Sequence, residues 1–318
     1  RSGLLEGHAR RLERQRIDTV VNSVMQLAGH RIGALIALGY TMVYGVIQLI
    51  NFAHGEFFAA GGYMGVILLS FFTGLGYMDT HPILCLAAAF VLAMGYCAFL
   101  AVGVEKVAYK PLRQAPRLSA LISAIGMSMF LQYFVLLSQT SNFLPFPNLI
   151  PDFTFMEPIE HLVRSSEIVI YITTAIVMIL LTLMLKFTKI GKAMRATAQD
   201  RNMALLVGVD VDKVISMTFI VGSSTAAIGG VLIASHTGQI NYYIGFIAGI
   251  KAFVAAVLGG IGSMPGAVLG SLVLGMSESF FTGYISSDYE DVFAFLFLVF
   301  TLIFSPSGIL GRTDTDKV

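Results

Sequence analysis

The feature that most constrains this chain is a succession of apolar runs, most of them about 20 residues long, the length a helix needs to cross a hydrocarbon core of about 30 Å. They fall at about 17 to 50, 55 to 72, 83 to 104, 118 to 137, 167 to 187, 214 to 235, 244 to 282 and 292 to 310. Hydrophobic residues make up 56% of the chain and charged residues 12%, whereas soluble domains carry about 25% charge. With a mean hydropathy of +0.79, such a chain cannot cover itself with a water-facing surface, so lipid is the solvent for most of it. A transmembrane barrel would need short alternating segments instead of continuous runs. The expected fold is therefore an all-α polytopic membrane protein with about eight transmembrane helices. The first and seventh runs are too long for one simple helix. His30 and Arg31 interrupt the first, and the Gly259-Gly260-Ile261-Gly262-Ser263-Met264-Pro265-Gly266 segment supplies a turn in the seventh. Broken or re-entrant helices there would add one or two to the count.

Basic residues set the expected orientation, because Lys and Arg in short loops stay on the cytoplasmic side. Lys106, Lys110, Arg113 and Arg117 mark one such loop; Lys186, Lys189, Lys192, Arg195, Arg201 and Lys213 mark a second. The segments 73 to 82, 138 to 166 and 276 to 291 are poor in Lys and Arg and are expected to face out. Parity then puts the Gly259 to Gly266 turn near the cytoplasmic side and the tail 311 to 318 inside. Residues 1 to 16, with Arg10, Arg11, Arg14 and Arg16, lack a signal-peptide pattern and read as an N-terminal cytoplasmic tail. The net charge of +1 gives no reason to expect nucleic acid as a partner. Cys85 and Cys97 share one apolar run, about 18 Å apart along a helix, too far to pair.

Three stretches stand out chemically. Asn51, His54 and Glu56 lie between two apolar spans, where polar groups are costly unless they meet partners or line a cavity. They form either a site at the membrane interior or an interfacial loop that reaches water. Glycines four apart, Gly61 with Gly65, Gly262 with Gly266 and Gly266 with Gly270, allow close helix packing. A broken helix at the last of these would instead aim N-terminal amides at a carboxylate; Ser263 and Pro265 suit a helix start. The segment from Gly191 to Asp200, continuing to Asp210, mixes alanine and charge at helical spacing, as for a short amphipathic helix outside the bilayer that lies on the surface or docks to a partner. Lys251 enters an apolar run, and its long side chain is expected to snorkel. His81, His161 and His236 are scattered and make no metal site. The chain has no phosphate-binding Gly-x-x-x-x-Gly-Lys-Ser/Thr loop, no zinc signature and no nucleophile elbow, so neither ATP hydrolysis nor other catalysis is expected of it, and no cofactor.

Taken in order, Gly39 to Gly45, Asn51 to Glu56, Gly191 to Asp200 and Lys251 to Gly270 resemble the LivH branch of the branched-chain amino-acid permeases, over about residues 20 to 310. The resemblance implies a single transmembrane permease domain over 17 to 310, with a cytoplasmic coupling loop at about 186 to 213, in the bacterial inner membrane. It implies a LivM-like second permease, two cytoplasmic ATPase subunits and a periplasmic binding protein as partners. It makes Gly191, Arg195, Ala196, Gln199, Asp200 and Gly208 the candidates for ATPase coupling. Asn51, His54, Gly55 and Glu56, with Gly259, Gly260, Gly262 and Gly266, become candidates for the pathway or for helix breaks. Gly29-His30-Arg31-Ile32 departs from the family, where the chain usually runs apolar. Leucine, isoleucine and valine are the implied cargo; relatives of this branch are associated with urea, short amides and other amino acids. The rival reading is a proton-coupled carrier using His54 and Glu56.

Overall fold

A computed structural model describes residues 33–49, 51–113, 115–146, 165–286, 288–305 and 307–311. The His30-Arg31 interruption, the N-terminal tail, His161 and nearly all of the C-terminal tail lie outside the described residues. Helix α1 covers Gly33–Ile47. It is followed by α2 (His54–Gly74), the single turn α3 (Tyr77–Thr80), α4 (Pro82–Val104), α5 (Arg117–Ser138) and α6 (Ser165–Phe187). Two short helices come next, α7 (Lys189–Gln199) and α8 (Arg201–Leu206), then α9 (Val211–Thr237), α10 (Ile244–Gly259), α11 (Met264–Tyr284) and α12 (Glu290–Phe304). Among the described residues six helices are long and apolar enough to cross a membrane: α2, α4 with its extension to Leu112, α5, α6, α9 and α11. Helices α1 and α10 are apolar but shorter. The seventh run does break into two helices at the glycine-rich turn, and α11 starts at Met264, with Ser263 accepting a hydrogen bond from the Gly266 amide at 3.2 Å.

Buried area is concentrated on α9, whose glycine- and alanine-rich surface takes α2 on one side and α4 on another. Cys97 of α4 donates its thiol hydrogen to the Phe57 carbonyl of α2 at 3.3 Å, adding a polar tie within that packing. By contrast α4, α5 and α6 present Phe99, Phe130, Leu137, Ile176 and Leu180 to the outside. A continuous belt of this kind is what a hydrocarbon solvent accepts and water does not.

One end of the bundle is basic. There α4 passes into a π-helical turn, Glu105–Tyr109, and a 3-10 turn, Lys110–Leu112. Arg113 bridges buried Glu105 to Asp212 of α9, and Ser216 donates to Glu105 at 3.0 Å. At the opposite end two two-residue strands, β1 (Leu144–Pro145) and β2 (Gln239–Ile240), pair antiparallel, Leu144 with Ile240 and Pro145 with Gln239. Phe146 follows β1 into a cluster with Tyr63, Val66 and Val231.

Candidate functional site

Two helices begin inside the bundle and meet head to head. Helix α2 is entered through a turn in which the His54 amide bonds the Asn51 carbonyl at 3.0 Å; α10 is entered through the same turn, the Ile244 amide to the Asn241 carbonyl at 3.3 Å. The sequences correspond: Ile50-Asn51-Phe52-Ala53-His54-Gly55 and Ile240-Asn241-Tyr242-Tyr243-Ile244-Gly245. Their directions are opposed. Helix α1 ends at the basic end, where Arg201 donates to the Ile47 carbonyl, and α2 runs away from it. Helix α10 runs toward that end, where Gly262 just beyond it lies against Gly45. His54 lies beside Gly222 of α9, which at 1.5 Å per residue is about 16 Å along from Val211 at the basic end. Both helix N-termini, the positive ends, thus lie within the bundle and the two helices run in opposite directions.

The crossing depends on absent side chains. A Cβ on Gly55 would run into the Gly245 carbonyl and come within 2.7 Å of the Gly249 Cα; one on Gly245 would come within 2.6 Å of the Gly55 carbonyl oxygen. Glu56 sits in the first turn of α2 with its carboxyl group beside Gly245, so one hydrogen-bond acceptor lies at the N–H ends of both helices. It accepts a hydrogen bond from Ser128 of α5 at 3.0 Å. Asn51 accepts one from Tyr109 in the π-helical turn at 2.6 Å. His54, wholly buried, lies edge-on to Tyr40 of α1, ring centroids 4.8 Å apart. It faces the Ile36 carbonyl, but neither ring nitrogen forms a well-directed hydrogen bond. The Tyr40 hydroxyl, the Thr41 hydroxyl and the Asn51 amide nitrogen are likewise buried without a partner among the described residues. Asn51, His54, Gly55 and Glu56 are thus brought into one junction, surrounded by α1, α5, α9 and α10.

The second glycine group is a separate place. Gly259 and Gly266 close on each other and Gly260 takes φ +101°, open to glycine at little cost. Gly262 adopts φ +93° and a Cβ added to it would meet nothing within 4 Å, so its four-residue spacing to Gly266 serves the turn and not helix packing. The chain after α12 folds back onto this turn, the Ile309 amide bonding the Leu258 carbonyl at 2.8 Å and the Leu310 amide the Gly259 carbonyl at 3.0 Å. Midway along α10, Lys251 departs from the expected snorkelling and reaches toward the acidic end of the bundle, where Glu278, Glu290 and Asp291 lie. Its ammonium lies 2.5 Å from Glu290, 3.1 Å from Asp291 and 3.7 Å from buried Glu278, joining α10, α11 and α12. Three carboxylates from two neighbouring helices are thus the partners of this cation.

At the basic end, Thr188 caps α7 by accepting from the Gly191 amide at 3.0 Å, and Gly191 is packed too close to the Met184 and Leu185 carbonyls for a side chain. Arg195 reaches back to the Leu185 carbonyl, Ala196 packs on the core, and Gln199 is exposed. Asp200 caps α8, accepting from the Asn202 amide at 2.8 Å and the Met203 amide at 3.0 Å, and Gly208 turns the chain at φ +84°. Beyond them Met203, Leu205, Leu206 and Val207 stand exposed. Neither this apolar edge nor Asn241, Gly245 and Gly249 stands out from hydropathy; the repeated Ile-Asn-aromatic pattern is the sequence signal for the latter.

A family model described as "Branched-chain amino acid transport system / permease component" matches residues 27–302. The chain belongs to this permease family. Over 288 residues, 90% of this permease and 93% of the relative, it is 45% identical to the high-affinity branched-chain amino acid transport system permease protein LivH of Escherichia coli K12. Over the same shares it is 46% identical to the high-affinity branched-chain amino acid transport system permease protein BraD of Pseudomonas aeruginosa. A more distant relative is the probable branched-chain amino acid transport permease protein LivH of Methanocaldococcus jannaschii, 29% identical over 87% of this permease and 88% of its own length.

Proposed function

We propose that this permease forms half of the translocation pathway of an ATP-driven importer for leucine, isoleucine and valine. Identity of about 45% maintained across nine-tenths of the chain to permeases of that named cargo carries the reading. The permease has no nucleotide-binding loop, so its energy comes from two ATPase subunits on the cytoplasmic face. We assign that face to the basic end, following the distribution of Lys and Arg, in the bacterial inner membrane. The exposed apolar edge of α8, from Met203 to Val207, is where an ATPase subunit docks; in a loop outside the bilayer four large apolar side chains gain by being covered. Arg195, Ala196 and Gln199 flank that contact, while Gly191, Asp200 and Gly208 give the segment its shape.

A LivM-like permease completes the pore and a periplasmic binding protein delivers cargo at the acidic end. Alternating access follows from the junction. Helices α2 and α10 start inside the membrane with no side chains between them at Gly55 and Gly245, so relative tilting there opens the bundle toward one face or the other without unpairing helix interiors. No bond is made or broken in the cargo.

The test is uptake by vesicles holding the complete transporter, supplied with ATP inside and binding protein outside. Labelled leucine, isoleucine and valine should accumulate, and urea and acetamide should not. Accumulation of urea in place of leucine would displace the cargo, and leucine uptake driven by a proton gradient in vesicles lacking the ATPases would displace the mechanism.

A further inference from the structure

Away from the junction, the basic end holds a cleft of about 470 Å³ between the end of α1, the turn after α4 and the α7–α8 corner. Its walls include Ile47, Gln48, Leu112, Arg113, Thr197 and Arg201. The charges here are unevenly matched. Arg113 is answered by Glu105 and Asp212, and Lys110 also reaches Asp212, at 3.0 Å. Arg201 is half-buried, gives one N–H to the Ile47 carbonyl, and pairs with no carboxylate among the described residues. Asp200 also lines the cleft, its Oδ1 already holding the Asn202 and Met203 amides. Burial first, and then the neighbouring Arg113 charge, weakens the hold of Arg201 on its proton; a negative group between the two guanidiniums reverses that repulsion. Thr197 is 1% exposed, yet among the described residues its hydroxyl has no hydrogen-bond partner, and neither has the Nε–H of Arg113.

We propose that this cleft binds a phosphate group, with Arg201 supplying the charge and the Thr197 hydroxyl a neutral donor. A guanidinium fork matches phosphate oxygens in pairs. Ile47 and Leu112 give the cleft an apolar wall beside the cation, the combination by which basic pockets at membrane edges hold lipid headgroups. The phosphate comes either from an anionic phospholipid or from solution, and two arms of one experiment separate them.

In the first arm the full-length permease is purified from membranes containing phosphatidylglycerol, and retained lipid is counted by native mass spectrometry. In the second, delipidated protein is titrated with inorganic phosphate at constant ionic strength while melting is followed by tyrosine fluorescence. We expect phosphate-bearing ligand to be held in at least one arm and Arg201→Gln to weaken it by about tenfold or more, the loss of a charge-assisted hydrogen bond. Thr197→Val should weaken it less, and Arg201→Lys, which keeps the charge but loses the fork, should fall between wild type and Arg201→Gln. These two conservative variants keep the test readable if Arg201→Gln fails to fold. Retention of phosphatidylglycerol alone identifies a lipid site; a melting shift with inorganic phosphate identifies a soluble ligand. Binding in both arms that is unchanged by all three variants overturns the proposal. So does an Arg201→Gln variant that binds both probes normally but loses the ATPase subunits, since the cleft would then receive a protein side chain.

Discussion

Replacing Gly55 by alanine tests the head-to-head junction directly. The new methyl would be driven into the Gly245 carbonyl and would lie 2.7 Å from the Gly249 Cα, where ordinary contact begins at 3.4 Å. Both obstacles are backbone, which no rotamer change can move aside, so α2 and α10 must part by on the order of 1 Å. Overpacking costs about 1–3 kcal/mol, and separation of two backbones belongs at the upper end, about 3 kcal/mol. That is roughly a 150-fold loss in the folded-to-unfolded ratio. Gly103 of α4 is the control, because a Cβ there meets nothing within 4 Å. We expect Gly55→Ala to lower the melting midpoint of the purified permease and to abolish leucine uptake by the assembled transporter, with Gly103→Ala matching wild type in both. Gly245→Ala should behave like Gly55→Ala, and the double variant should cost less than the sum, since helices already parted accommodate a second methyl. If Gly55→Ala melts within about 0.5 kcal/mol of Gly103→Ala and transports normally, the close crossing described here is wrong.

The ion cluster gives a second prediction: Lys251→Met should cost about 2–4 kcal/mol by removing the cation that Glu278, Glu290 and Asp291 share, measured by denaturant unfolding, and adding Glu278→Gln should recover part of it. Tyr109→Phe should cost about 1–2 kcal/mol, because the buried Asn51 carbonyl loses its donor, whereas Phe in place of exposed Tyr133 should be neutral in the same melting assay. Leu206→Asp or Val207→Asp should leave the melting of the permease alone within about 0.5 kcal/mol of wild type, yet reduce co-purification of the ATPase subunits and cargo-stimulated ATP hydrolysis. Normal ATPase association in both variants would remove α8 from the docking surface.

Apolar length is a local property, and the sequence carries it well. The runs at 83 to 104, 118 to 137 and 167 to 187 end within about two residues of α4, α5 and α6. The turn after Gly259 was visible because Gly and Pro mark breaks wherever the chain goes. What could not be read is whatever depends on helix rotation. Lys251 looked like an isolated cation because its partners Glu278, Glu290 and Asp291 come from other helices, and no periodicity within α10 reports which way those turn. The basic run forms the amphipathic helix α7 that its spacing predicts, but the spacing does not tell which surface its apolar side meets, and Met194 and Thr197 are enclosed against the bundle. For His54 and Glu56 the residue types left open a buried site or a loop reaching water; the structure buries them, and the other half of the junction, at Gly245, lies in a different run that hydropathy alone treats as ordinary lipid-crossing sequence.

The backbone bonds from Ile309 and Leu310 to Leu258 and Gly259 have a mechanical meaning. They stitch the foot of α12 to the foot of the α10–α11 hairpin, while Lys251 rivets the same three helices nearer their far ends. A block fastened at two levels cannot shear internally. Any working stroke must pass between that block and the α2–α9 scaffold, through the narrow bearing where Gly55 meets Gly245.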